Sequence, residues 1–369
     1  MKITLSSENL QKKLSFLNHA ISTRNDLPIL LNILIEAKGD RVLLSSTDLE
    51  IGIQTSMIAQ VSEEGGITVP AKTFTELISS LPNDSISLET SEGLLTVESK
   101  KTKSSFQTIA KEDYPKLYEE KGDLLAKVEL SSLKKDAGMV VFSSSTDTAR
   151  PALSGTLLRR EQEGFLIVAT DGYRLSLKHH AVIDQQLGSE EALLVPARVM
   201  REVLSLKEEA SDISLFVARN SNQIIFEIGE TLLIGRLIGA EFPPFEKIIP
   251  TDQSAQTAFD REELLKAVKI CSIFAREAAN VITLSLKKES IIVSSQSPSV
   301  GTNTVEVEAR LTGEENEIAF NARYLLDVLS NIPEEILTFE MTGPLNPGVF
   351  KIKDNTTFLH LIMPIRLQQ

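Results

Sequence analysis

Residues 169–176 read ATDGYRLS. The apolar run 165–168 leads in and Leu177 follows. Asp-Gly between two strand-like runs predicts a tight turn, because Gly172 can take a positive φ without a Cβ clash. Thr170, Tyr173 and Arg174 then stand at the tip of a rigid hairpin. Related segments recur, SSTDLEIGIQ at 45–54 and SSQSPSVGTN at 294–303. The chain reads as one unit written three times.

Other landmarks agree on the period. Val69-Pro70-Ala71, Val195-Pro196-Ala197 and Phe320-Asn321-Ala322 each precede an amphipathic run, at offsets of 126 and 125 residues. Pro115, Pro243 and Pro364 each close a repeat. Polar stretches near 119–123 and 251–256 place domains at 1–122, 123–251 and 252–369. Within the first repeat, β-branched alternation predicts strands at 2–5, 30–36, 41–46, 51–60, 67–69, 85–89, 94–98 and 104–109. Apolar spacing at i, i+3 and i+4 predicts helices from 7 and over 71–81, with Ser7 and Asp260 as N-caps among the repeats. The fold class is therefore α+β: three similar domains, each two helices packed on antiparallel sheets. Sheet edges need partners, and like domains can pair edge to edge. Head-to-tail contacts of fixed rotation close into a ring or run on as a filament.

Composition excludes several classes. An apolar content of 42% in 369 residues is that of a globular protein with real cores. No apolar run reaches membrane-spanning length, and MKITL reads as a short strand, so neither a membrane partner nor a secretory signal is expected. The single cysteine, Cys271, excludes an internal disulfide and suits a reducing cytoplasm. The net charge of −13 argues against nucleic acid, yet the six predicted helices, at 7–17, 72–81, 131–146, 198–207, 260–277 and 323–332, carry +4, leaving −17 elsewhere. Lys12, Lys13, Lys134, Lys135, Lys266 and Lys269 on those helices could face a polyanion; they fit ordinary solvated helix faces as well. There is no phosphate-binding loop, nucleophile elbow, C-x-x-C or H-E-x-x-H pattern. His179 and His180 are adjacent on a predicted strand and point to opposite faces, poor geometry for a metal. No catalytic residue, cofactor or metal is expected. Asp48 and Asp171 sit at equivalent turns, which favours a turn role over catalysis.

ATDGYRLS, the three pre-helix tripeptides, EFPPFEKIIP at 241–250 and the terminal MPIRL together resemble the bacterial sliding clamps, the beta subunits of DNA polymerase III. The resemblance spans essentially the whole chain. It implies the DNA clamp fold, a head-to-tail homodimer forming a ring around double-stranded DNA, and no active site. Its partners would be the polymerase III catalytic subunit, the clamp loader, and other polymerases and repair enzymes bearing clamp-binding peptides. The implied peptide pocket, between the second and third domains, comprises Leu153, Thr170, Gly172, Tyr173, Arg174, Leu175, Pro243, Lys247, Ile248, Asn321, Tyr324, Leu361, Ile362, Met363, Pro364, Ile365 and Arg366. Many relatives carry His at Tyr173 and Arg at Lys247. The resemblance also places Arg24 on a pore-facing loop and makes the helix cations DNA contacts, adding Lys72, Arg198 and Arg201 to the lysines above. It sets Phe106 opposite Ile273 and Phe274 at the dimer face. The rival readings are an acidic protein-interaction scaffold and an enzyme with a site in an inter-domain cleft.

Overall fold

The computed structural model describes residues 1–22, 27–147, 149–162, 164–181, 184–185, 192–207 and 210–366. The first repeat contributes β1 (Lys2–Ser6), α1 (Ser7–Leu17), β2 (Asn32–Lys38), β3 (Arg41–Thr47), β4 (Ile51–Ile58), β5 (Gln60–Glu63), β6 (Gly65–Pro70), α2 (Ala71–Ser80), β7 (Ser85–Ser91), β8 (Leu94–Ser99) and β9 (Thr102–Gln107). The second contributes β10 (Asp123–Glu129), α3 (Leu130–Val141), β11 (Gly155–Glu161), β12 (Gly164–Thr170), β13 (Arg174–Ala181), β14 (Asp184–Gln185), β15 (Ala192–Pro196), α4 (Ala197–Ser205), β16 (Asp212–Ala218), β17 (Gln223–Ile228) and β18 (Thr231–Arg236). The third contributes β19 (Ala255–Asp260), α5 (Arg261–Ala275), β20 (Val281–Leu286), β21 (Ser290–Ser297), β22 (Gly301–Gly313), β23 (Asn316–Asn321), α6 (Ala322–Asn331), β24 (Ile336–Met341), β25 (Gly348–Ile352) and β26 (Phe358–Ile362).

The predicted elements hold with local corrections. Ser6, not Ser7, caps α1: its hydroxyl accepts from Asn9 N, while Ser7 Oγ donates to Pro82 O at 2.8 Å. Asp260 caps α5 through Glu263 N at 2.9 Å. The strand expected from 30 starts at Asn32, because Pro28 fixes the turn conformation and opens a 3-10 helix over Pro28–Leu31. The strand expected over 51–60 is two strands, β4 and β5, which join different sheets. The helix expected over 131–146 ends at Val141. There Ser143 N and Ser144 N bond only three residues back, to Val140 O and Val141 O, and Ser145 N leaves the helix for Leu153 O, while the Ser143 and Ser144 hydroxyls turn to Ser176 Oγ and Gly155 O. The helix expected over 260–277 stops at Ala275, where Asn280 N donates back to Ala275 O and Ala279 and Asn280 take positive φ.

Contacts divide the chain into two compact units. One comprises 1–131, 182–188 and 201–237. It holds a five-stranded sheet, β5-β1-β7-β8-β9, and a nine-stranded sheet, β14-β10-β16-β17-β18-β4-β3-β2-β6. Helices α1 and α2 pack together over Leu10, Leu14, Phe74 and Ile78, all essentially inaccessible. The other unit comprises 132–181, 189–200 and 238–369, with the twelve-stranded sheet β15-β11-β12-β13-β26-β25-β24-β19-β22-β21-β20-β23. Its main core gathers Leu264, Val268, Leu325, Val328 and Leu329 of α5 and α6 over Phe320, Phe339 and Phe350.

Within each unit a sheet edge of one repeat is satisfied by the next repeat. In the first, β4 pairs antiparallel with β18, Ile53 opposite Leu233. In the second, β13 pairs antiparallel with β26, Ser176 opposite His360. Aligning Asp48 with Asp171 superposes the two registers residue for residue. The edge-to-edge pairing expected between like domains is thus observed twice.

Candidate functional site

The 169–176 stretch builds the predicted hairpin. Thr170 Oγ1 donates to Arg174 O at 2.6 Å and accepts from Gly172 N. Asp171 Oδ1 accepts from Tyr173 N and Arg174 N at 2.9 and 3.0 Å, an Asx-type turn. Gly172 has φ 93°, as the sequence required. Asp48 does the same for Glu50 N and Ile51 N at 3.0 and 2.9 Å, so both aspartates are turn formers.

Arg174 is the hub. Its side chain is only 9% exposed. Nε donates to Asp171 Oδ2 at 3.0 Å, Nη1 to Asp327 Oδ2 at 2.5 Å and Nη2 to Phe142 O at 3.0 Å. The guanidinium lies over the Tyr324 ring at 4.7 Å and the Phe142 ring at 5.5 Å. A buried cation needs such complete pairing, since an unmet charge away from water is costly. Burial, then the Asp171 carboxylate, raises the Tyr324 phenol above its usual range. Sequence reasoning missed Asp327 and Phe142, which lie 153 and 32 residues from Arg174.

Behind the hub, Leu175 and Leu361 face each other in register and pack with Leu157, Leu166, Val168, Leu177 and Phe245. Ile362 is opposite Arg174 and fully buried. Met363 N donates to Tyr173 O, and Ile365 N to Ala319 O, each at 2.8 Å, so the terminal run is laced to the turn and to β23. Tyr173 and Met363 remain exposed, at 59% and 39%. Leu153 lies close under Gly172, where an added Cβ would sit 3.9 Å from its Cδ1. Phe245 anchors the 3-10 turn Phe245–Ile248, which leaves Lys247 and Ile248 exposed beside half-buried Pro243. Asn321 has a local duty: its side chain caps α6 by accepting from Arg323 N at 2.9 Å. Pro364 and Ile365 are half-buried and Arg366 is exposed.

A second polar line runs beneath this surface. Ser143 Oγ, Ser176 Oγ and His360 Nδ1 are linked at 2.8 and 2.6 Å, all fully buried. Burial, then the Arg174 charge, holds His360 well below the usual histidine range, so it is neutral.

The helix cations are mixed in environment. Lys72, Lys266, Lys269, Arg198 and Arg201 are exposed, Lys13 and Lys134 half-buried. Lys12 is paired with Glu8 at 2.8 Å and Lys135 with Glu334 at 2.9 Å. Arg24 lies outside the described residues. Phe106 packs edge-on against Phe74 at 5.7 Å. Ile273 is 59% exposed on α5, with Phe274 half-buried beside it and Ile270, absent from the sequence reading, 45% exposed one turn away. His179 is exposed and His180 buried, on opposite faces as expected; His180 Nδ1 meets Asp136 Oδ2 at 2.8 Å. Cys271 is buried, and burial pushes its thiol up to about 11. No helix among the described residues is long and apolar enough to cross a membrane.

Models of the DNA polymerase III beta subunit match the chain three times: the N-terminal domain over residues 1–118, the central domain over 127–244 and the C-terminal domain over 246–366. The chain belongs to the DNA polymerase III beta subunit family. A beta sliding clamp of Synechococcus elongatus is 29% identical over 374 residues, covering 100% of both chains. The structure of a DNA polymerase sliding clamp from Bacillus subtilis matches 100% of both chains with a TM-score of 0.95 and 27% identity. That of the DNA polymerase III subunit beta from Pseudomonas aeruginosa covers 99% of this chain and 100% of its own, with a TM-score of 0.93 and 27% identity. The fold of this beta subunit family member is the clamp fold its sequence resembled, and its function is that of a DNA sliding clamp.

Proposed function

We propose that two copies of this protein close head to tail into a ring around duplex DNA, and that it acts without catalysis by keeping polymerases on the template. One observation carries the reading: the edge rule leaves two strands over. β18 and β26, each the last strand of its repeat, pair with β4 and β13 of the preceding repeat. Their counterpart in the first repeat, β9, has only β8 beside it among the described strands. The counterpart of β4 and β13 in the third is the 301–308 part of β22, which has only β21 beside it among the described strands. A second copy supplies each missing edge, and two such junctions close the ring. Apolar Phe106 on β9, and Ile270, Ile273 and Phe274 on α5 next to β22, then cover one another.

Helix cations, Lys72, Lys266 and Lys269 among them, line the passage and contact phosphate only. Few and weak contacts suit a protein that must move along DNA. The surface of exposed Tyr173, Met363, Lys247 and Ile248 and half-buried Pro243, over the Leu175–Leu361 floor, takes a short partner peptide with Leu and Phe anchors, an apolar floor with few polar groups being suited to it. Such peptides are carried by the polymerase III catalytic subunit, the clamp loader and repair enzymes. The protein is loaded by its loader onto nicked circular duplex, which is then linearised. It is expected to slide off the ends; retention after linearisation overturns the ring.

A further inference from the structure

We propose that Asp327 is a positioning residue for peptide capture, acting through Arg174; this rests on the reading of the Tyr173 surface as a peptide site. Asp327 sits on α6, half-buried, and receives Arg174 Nη1 at 2.5 Å. Arg174 in turn holds two parts of the surface. Its Nε grips the Asp171 carboxylate whose other oxygen shapes the Tyr173 backbone. Its guanidinium plane carries the Tyr324 ring at 4.7 Å. Asp327 therefore fixes the turn and the aromatic wall together, from a helix that contributes no other carboxylate. The first-repeat junction shows that the turn itself does not need this device. There Ile51 stands in the place of Arg174, and the same four hydrogen bonds form the turn around Asp48. Glu202, the counterpart of Asp327 on α4, is engaged elsewhere, by His19 Nδ1 at 2.5 Å. The clamp thus serves what lies above the turn, not the turn's own folding.

The probe is a fluorescein-labelled peptide ending in Leu-Phe, read by anisotropy on the full-length protein. Wild type binds; Asp327→Ala weakens binding at least tenfold at a temperature well below its thermal midpoint, where the variant is still fully folded, and Asp327→Glu, which keeps the carboxylate, restores most of it. Binding by Asp327→Ala equal to wild type, or no rescue by Asp327→Glu, overturns the positioning role and leaves the pocket standing. Failure of wild type itself to bind the peptide overturns the pocket, and the positioning role with it.

Discussion

The two strand-edge junctions, β4 with β18 and β13 with β26, share one register and differ in chemistry. Where the first has Ile53 opposite Leu233, both fully buried, the second has Ser176 opposite His360, also fully buried and hydrogen-bonded. Where the first has Ile51, the second has Arg174. Where the first turn carries Leu49 at φ 75°, the second carries Gly172 at φ 93°. The first junction joins two domains mostly through apolar packing, with one buried hydroxyl pair, Thr55 Oγ1 and Thr231 Oγ1 at 2.9 Å, at its end. The second junction adds buried polar groups beneath the surface proposed to bind peptides: Arg174 is paired through all three guanidinium nitrogens, and Ser176 and His360 Nδ1 bond each other, while His360 Nε2 has no partner among the described residues. Buried polar groups cost desolvation, and their partners fix one arrangement where apolar side chains tolerate several.

Truncating equivalent floor positions tests whether both junctions are true cores. Leu361→Ala and Ile234→Ala, at 0% and 2% exposure, are each expected to cost about 2–5 kcal/mol in urea unfolding. A cost below 1 kcal/mol at either site breaks the parallel.

The buried histidine should make the second junction acid-sensitive. Its folded pKa is depressed by burial and by Arg174, so below about pH 6.5 the unfolded chain binds a proton that the folded chain refuses. Stability is then full above that pH and falls as pH drops toward the folded value, by at most about 1.4 kcal/mol per pH unit. His360→Leu is expected to flatten this slope between pH 6.5 and 5; the same slope in the variant contradicts the assignment.

The turns should respond in opposite directions. Leu49→Gly relieves a left-handed backbone and is expected to gain roughly 0.5–1 kcal/mol, whereas Gly172→Ala loses about as much. Thermal melts of the two variants check the signs.

The turn was legible because Thr-Asp followed by a positive-φ residue is a local code, satisfied within five residues. The threefold period was legible because Pro70, Pro196 and Asn321 stand at corresponding strand ends. The Arg174–Asp327 clamp was not, since it joins residues 153 apart and nothing local marks Asp327 among helix carboxylates. Ile270 was missed because an apolar residue on an amphipathic helix reads as core until the structure shows it at 45% exposure. The early stop of α3 was missed because Ser145 N is taken by Leu153 O, a partner outside the helix that the run of serines does not mark.

Light scattering after size exclusion tests most directly whether the same edge rule operates a third time, between copies. At micromolar concentration the protein is expected at twice its 40.6 kDa chain mass, about 81 kDa, and Ile273→Asp at 40.6 kDa with an unchanged melt. A wild-type mass of one chain, or a ladder of open oligomers in place of a closed pair, would contradict the account.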